Sequence, residues 1–505
     1  MSLKKERLTL KTVGIVAEYN PFHNGHKYQI EQIKKQTHAD NIVVVMSGNF
    51  VQRGGFAWTD KYLRARMAVD CGADFVFELP TVFACASAET FALGSVALLD
   101  SLGFVDEICF GSEEGSLELI NKIACVLNND DYISDIDKYL KSGLSFPAAR
   151  EKFLMKMFSD KKEDIKMLLK QPNNILAIEY IKALNKLKSN IKPVTIKRMD
   201  AGYHSTELDS TLLLSSASAI RNTFTIHEKN SKIKNCHSEI YIDGSYNINN
   251  TDKQEKLKEI YAHIPKEVYN ILSENPDRFP ADNTLLKDMI YYKLLSFKLE
   301  NCPLDIFSDV SSDLSERIYN KLPEFNDFDS FADILKTKQY THTRITRALT
   351  HILLNIKDTD IKSFTSSICS KNKILYARLL GMNKNKSYLL RNITDIPVVT
   401  KVADACNIFE NFWISANDTK LNLKSSANNR FHNNNGKSLN IQIKDSQASK
   451  NKTLQLYSHK TNMNFIADIN RMFEYDMFAA KLYRHCMNNN IPDEYRAGIY
   501  ISKSH

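Results

Sequence analysis

The sequence predicts an α/β protein, with a parallel sheet wrapped by helices in its first part and a mainly helical region after it. Two observations predict this. From Thr12 to about Arg221, short apolar runs alternate with helical patterns, the rhythm of strands buried on both faces and joined by crossover helices. From about Lys256 to Asp404 the periodicity is helical, as in "TRITRALTHILLNI", where Ile345, Ala348, Leu349, Ile352 and Leu353 share one face. At 505 residues the chain also exceeds one ordinary core, which implies two or three domains.

The elements follow in order. "VGIVAEY" is a strand, followed by a helix from Asn24 to Thr37. "NIVVVMSG" is a strand, followed by a loop and a helix around Asp60 to Cys71. "DFVFELP" precedes a helix from about Ala86 to Leu102, and "DEICFGSE" precedes a mostly helical stretch from about Leu117 to Leu187. "KPVTIKRM" is a later strand. After Arg221 the texture becomes polar. The expected division is an α/β domain over 1–230, a linker over 231–255 and a mainly helical domain over 256–505. Within the last, a tract rich in Asn, Ser and Lys at about 415–460 has little to bury and reads as mobile, and a final helix follows from about Ile469 to Met487.

Composition excludes several classes. With 43% hydrophobic and 25% charged residues the chain reads as soluble and globular. No apolar run reaches the roughly 18 residues of a membrane span, and the start, "MSLKKERLTLKTVGIV", lacks a secretory pattern, so the expected location is the cytoplasm. Nine cysteines are scattered singly, without a C-x-x-C pair, which argues against a disulfide framework or a zinc ribbon. The net charge of +8 permits an anionic partner without demanding one.

The candidate chemistry sits where the first strand meets its helix, in "YNPFHNGH". Ligands of a parallel sheet bind beyond the carboxyl ends of its strands. There the helix start offers free N–H groups and a partial positive charge. Asn24 is the expected N-cap, Gly25 leaves the backbone open to an anion, and His23 and His26 can point to one side of the turn. Imidazoles so placed can donate to phosphate oxygens and stabilise charge growing in a transition state. Neither a G-x-x-x-x-G-K-[ST] loop nor a G-x-G-x-x-G turn follows the first strand. A second signal, "LLLSSASAIRNTF", places Ser216, Ser218 and Arg221 at an expected helix start; hydroxyls and a guanidinium there suit a polyphosphate.

Together the two segments resemble the H-x-G-H nucleotidyltransferase superfamily, with Ala217 and Ser218 where many members carry Ser and Thr. The match narrows through "VAEYNPFHNGH", "MSGNFVQRG", "DKYLRARMAVDCGADFVFELP", "ASAETFALG", "CFGSEEG", "QPNNILAIEYIKAL", "IKRMDAGYH" and "SSASAIR", which occur in this order. The sequence resembles the bacterial tRNA(Met) cytidine acetate ligase family, densely over about 12–225 and more thinly, through "YTHTRITRALTHILL" and "YARLLGMN", over about 260–405.

The resemblance implies a Rossmann-like nucleotidyltransferase fold and an ATP-dependent ligase. Such an enzyme activates acetate as acetyl-adenylate and acetylates N4 of the wobble cytidine of elongator tRNA(Met). Mg²⁺ is expected with the ATP, the partners are tRNA and acetate, and neither a membrane nor a protein partner is implied. His23, His26, Ser216, Ser218 and Arg221 would carry the catalysis. ATP would be bound by Val16, Ala17, Glu18, Tyr19, Asn20, Pro21, Phe22, His23, Asn24, Gly25, His26, Lys27, Tyr28 and Gln29, with Gly111, Arg198 and one asparagine of "PNNIL", Asn174 in preference to its neighbour Asn173. Gln52, Arg53 and Lys61 are candidate contacts for acetate, pyrophosphate or tRNA. Glu78 and Glu89 follow the third strand, and no dedicated general base stands out.

In the helical region, Arg344, Arg347 and His351 recur on one stripe, and Lys384 and Lys386 fall in "GMNKNKSYLLRN"; Arg344, Arg347, Lys384 and Lys386 are the expected RNA contacts. The alternatives are an adenylyltransferase acting on a small phosphate or nucleotide, and a non-catalytic nucleotide-sensing RNA-binding protein.

Overall fold

The computed structural model describes residues 10–198, 216–224, 250–281, 283–412 and 446–502. Its first half alternates as expected: β1 (Thr12–Ala17), α1 (Asn24–Thr37), β2 (Asn41–Ser47), α2 (Lys61–Asp70), β3 (Phe75–Leu79), α3 (Thr81–Ala84), α4 (Ala88–Ser101) and β4 (Glu107–Ser112). A run of helices follows: α5 (Leu117–Leu127), α6 (Asp130–Lys141), α7 (Phe146–Met157), α8 (Lys162–Lys170) and α9 (Pro172–Leu187). Then come β5 (Lys192–Lys197) and α10 (Ala217–Thr223). Strands β1 to β5 are mutually parallel in the order β5-β4-β1-β2-β3. This is a Rossmann-like winding, and it puts the topological switch point between β1 and β4.

The central strands β1 to β4 are mostly buried on both faces, which is why they read as apolar runs, while the edge strand β5 is only partly covered. Alternate residues of β2 serve opposite cores. Val43 and Val45 join Phe75 and Phe77 in one core, completed by α4, α5 and α9 through Phe91, Ile120 and Ile178. Ile42, Val44 and Met46 join Val13, Ile15 and Val76 in the other, completed by α1 and α2 through Ile30 and Leu63.

The later region is mainly helical: α11 (Asn250–Glu259), α12 (Lys266–Ser273), α13 (Lys287–Leu299), α14 (Ser312–Lys321), α15 (Phe328–Leu335), α16 (His342–Leu354) and α17 (Asp358–Lys371). Three features bear on the expected division. First, the later region extends the sheet. β6 (Ala377–Met382) pairs antiparallel with β3, and two-residue strands β7 (Val398–Val399) and β8 (Tyr500–Ile501) pair with β6. An uncovered β3 edge would offer unpaired backbone groups, and the later region covers it, so the sheet crosses the division expected near residue 230. Second, a long helix α18 spans Ser446–Cys486, so helix begins inside the tract read as mobile; the part of that tract up to residue 445 lies outside the described residues. Third, the expected linker lies outside the described residues as far as 249, and α11 occupies its end. Among the described residues no helix is long and apolar enough to cross a membrane.

The junction between the two regions is ionic. Lys61 Nζ lies 2.8 and 2.9 Å from the two carboxylate oxygens of Glu78 and 3.2 Å from Glu494 Oε2. Arg378, on β6, reaches Glu78 at 3.1 Å and also pairs with Glu494. All four side chains are at most 4% exposed. Two cations and two carboxylates balance, and removing one partner strands a buried charge, at a cost of about 3–5 kcal/mol. Arg378→Met should therefore lower the free energy of unfolding by about that amount in a denaturant titration; a loss below about 1 kcal/mol would show that the cluster is not the clamp described.

Candidate active site

The turn after β1 is built by its histidines. His23 is the N-cap of α1, and Asn24 is the first helical residue. This corrects the expected cap: the Asn24 side chain donates instead to the Ala262 carbonyl (2.8 Å). Gly25 N–H donates to His23 Nδ1 (3.1 Å), and His23 N–H donates to His26 Nδ1 (3.2 Å), closing a reciprocal capping box. The rings stack, with centroids 3.8 Å apart. Tyr19 and Phe22, both buried, pack against His26 at 4.8 and 5.4 Å.

This geometry fixes the protonation state. Each Nδ1 accepts a backbone N–H, so each neutral ring carries its proton on Nε2. Burial pushes His23 down to about 3, helped by Arg198 and Arg221. Burial also lowers His26, helped by His23 and then by Arg198. The pair is therefore neutral near pH 7 and presents two Nε2–H donors, with the positive charge supplied by the two arginines.

The structure brings the expected second segment to this turn. Ser216 caps α10, accepting from Ala219 N–H (3.1 Å). Arg221 donates to Ser218 Oγ (3.1 Å) and to the Asn20 carbonyl (2.6 Å). The Asn20 side chain accepts in turn from Trp58 N–H (2.6 Å), which ties in the loop after β2. Arg198 follows β5 and its stem crosses Gly111 at the end of β4. A Cβ on Gly111 would lie 3.0 Å from Arg198 Cγ. The bare Gly111 thus makes room for Arg198, where a direct nucleotide contact was expected.

Other expected contacts are engaged elsewhere. Lys27 pairs with Glu267 on α12 (3.0 Å). Asn174 is buried, and its side-chain oxygen accepts from Glu113 and Glu114 N–H (3.0 and 3.2 Å), so it shapes the loop after β4. A pocket of about 410 Å³ beside that loop is lined by Glu113, Glu114, Glu118, Asp164 and Lys161 among others, so its charge is mainly acidic. Lys61 and Glu78 are locked in the buried cluster, and the Glu89 side chain is 60% exposed. Val16, Ala17, Tyr28 and Gln29 are half-buried, and Pro21 is buried.

The expected RNA contacts separate. Arg347 pairs with Asp309 at 2.8 Å, and its side chain is 11% exposed. His351 is buried between the Ser308 and Cys85 carbonyls. Lys386 donates to the Asp40 carbonyl just before β2, and Lys384 follows β6. Because β6 runs antiparallel to β3, both lysines lie at the amino edge of the parallel strands, roughly 17–20 Å, one strand length, from the histidine edge. Arg344 remains, half-buried, on α16.

Sequence reasoning assigned no role to Arg64. Its guanidinium, fully buried, donates to the carbonyls of Thr59 (2.9 Å), Glu18 (2.7 Å), Ser47 (2.9 Å) and Gly48. An arginine within the otherwise apolar face of "YLRARMAV" was the available signal. Glu18 Oε1 accepts from Gln52 N–H (2.7 Å), and Gln52 Nε2 donates to the Ala86 carbonyl (3.1 Å).

The HIGH Nucleotidyl Transferase family profile matches residues 10–446. The chain is 38% identical over 409 residues to the tRNA(Met) cytidine acetate ligase of Clostridium novyi (strain NT), covering 79% of this chain and 92% of that protein. It is 38% identical over 410 residues to the protein of the same name from Alkaliphilus metalliredigens (strain QYMF), covering 78% and 88%. Among solved structures it resembles apo Thermotoga maritima TmcAL, with a TM-score of 0.74 and 26% identity over 97% of this chain and 99% of that one. It also resembles TmcAL bound with alpha-thio ATP, with a TM-score of 0.72 and 25% identity over 97% and 100%.

A Cβ on Gly25 would lie 2.9 and 3.0 Å from His23 Cε1 and Nδ1. Gly25→Ala should therefore push the ring out of its stack. Acetate-dependent ATP–pyrophosphate exchange should fall at least about tenfold, while the melt reports at most about 2 kcal/mol, the loss of one cap. An unchanged exchange rate would mean that the ring's position does not govern the chemistry.

Proposed function

The chain belongs to the HIGH nucleotidyl transferase family, and we propose that it activates acetate with ATP as acetyl-adenylate and then acetylates N4 of the wobble cytidine of elongator tRNA(Met). The observation that carries this reading is the joining of two distant segments at the switch point. Arg221 bonds the Asn20 carbonyl, so the histidine turn and the α10 segment form one phosphate-facing surface.

In the first step an acetate oxygen attacks the α-phosphorus, and the bond to pyrophosphate breaks. Negative charge grows on the phosphate oxygens, where the Nε2–H groups of His23 and His26 donate. Arg198 and Arg221 balance the polyphosphate charge. Donors that are neutral and fixed contribute most where charge develops, which favours the transition state over bound ATP. Mg²⁺ would enter with the nucleotide. It would be held chiefly through phosphate oxygens and water, as Mg²⁺ usually is at nucleotide sites. In the second step the cytidine N4 attacks the acetyl carbonyl, the bond to AMP breaks, and the proton lost from N4 passes to water. Acetate arrives already ionised, and holding the amine against the carbonyl supplies much of the rate.

Incubating the protein with ATP, labelled acetate and bulk tRNA tests the reading: label should enter tRNA. A labelled or adenylylated small molecule alone, or ATP binding without turnover, would contradict it. His23→Ala and His26→Ala should each lower turnover about 100- to 1000-fold with a smaller effect on ATP affinity; near-normal turnover in both would remove the histidines from the mechanism.

A further inference from the structure

The loop after β2 joins the site to the helical region through backbone. Thr346 Oγ1, on α16, donates to the Arg53 carbonyl (2.5 Å), and Gly55 N–H donates to Thr350 Oγ1 (2.9 Å). Gly54 and Gly55 have φ of 86° and 85°. A Cβ on Gly54 would lie 2.6 Å from the Thr346 carbonyl, so only glycine lets the two backbones seat directly. One residue before Arg53, the Gln52 N–H holds Glu18 at the end of β1, and Trp58 N–H holds Asn20. The start of α16 is therefore rigidly referenced to the histidine turn.

Cations gather at that start. Lys336 and Lys338 are exposed in the segment before α16, Arg344 lies in its first turn, and Arg53 is exposed on the loop. The Arg344 guanidinium rests over the Tyr340 ring at 5.0 Å, which orients it. Among the described residues, Asp333 lies 3.8 Å from His342, and Asp329 accepts from Asn283. Arg347 and Asp309 neutralise each other beneath.

We propose that this strip of Lys336, Lys338 and Arg344, continued by Arg53, takes the phosphate backbone of the acceptor RNA and delivers its base to the carboxyl edge. The inference rests on the acetyl-transfer reading above and assigns its RNA face. It also removes Lys384 and Lys386, which lie at the opposite edge of the sheet. RNA needs several phosphate contacts for affinity, and a base can reach the histidine turn only from an RNA docked on the same edge.

The test compares two variants of the full chain. In Lys336→Glu/Lys338→Glu/Arg344→Glu, bulk-tRNA affinity should fall at least about tenfold, and the slope of log affinity against log salt should shrink by about 2–3. ATP–pyrophosphate exchange and the melt should stay as in the parent. In Lys384→Glu/Lys386→Glu, tRNA affinity and salt slope should be unchanged. A triple variant that binds tRNA like the parent, or a double variant that loses binding as strongly, would overturn the assignment. A parent chain that binds tRNA but never acetylates it would instead count against the acetyl-transfer reading, and this is seen before either variant is compared.

Discussion

A guanidinium sealed from water holds the working edge of the sheet together. Arg64 donates to four carbonyls, those of Glu18 after β1, Ser47 and Gly48 at the end of β2, and Thr59 in the loop beyond. Carbonyls at strand ends have lost their ladder partners, and leaving them buried and unbonded is costly. One rigid, five-donor side chain satisfies all of them. It fixes where β1 stops, and so where Tyr19 turns and where His23 begins α1. Asn20 then extends the same framework, receiving Arg221 on its backbone and the Trp58 N–H on its side chain.

That framework explains a division of labour in the charge of the site. Two stacked imidazoles 3.8 Å apart would repel if both were protonated. Burial and two neighbouring arginines keep them neutral, and backbone N–H groups occupy their Nδ1 atoms. The permanent charge resides on Arg198 and Arg221, while the histidines act as oriented dipoles. A dipole fixed by the fold needs no reorganisation when charge appears on a phosphate oxygen. The same turn is a helix cap, so the local stability of α1 and the catalytic geometry are one feature.

Much of this was legible in the sequence, for physical reasons. β1 to β3 are largely buried on both faces, so "VGIVA", "NIVVVMS" and "FVFEL" read as unbroken apolar runs. The turn and the α10 segment announced themselves by residue type at a strand–helix junction. What stayed hidden depends on partners far apart in the chain. β6 is six residues long within helical surroundings, and its role follows from the edge of β3, some 300 residues away. The engagement of Lys61 with Glu78 and Glu494, and of Arg347 with Asp309, cannot be read from spacing. Lys384 and Lys386 looked like RNA contacts by composition; only strand direction reveals that they sit at the amino edge. Gly111 reads in the sequence as a place for a nucleotide, and the side chain that a Cβ there would meet is Arg198.

The central claim is that the histidine pair is neutral with its protons on Nε2. Ring-nitrogen NMR of histidine-labelled protein, assigned with His23→Gln and His26→Gln, reads this directly. The account predicts that both rings are neutral Nε2–H tautomers, unchanged from about pH 8 to about pH 5, across the range where an ordinary histidine titrates. An imidazolium at neutral pH, or a proton on either Nδ1, would contradict it.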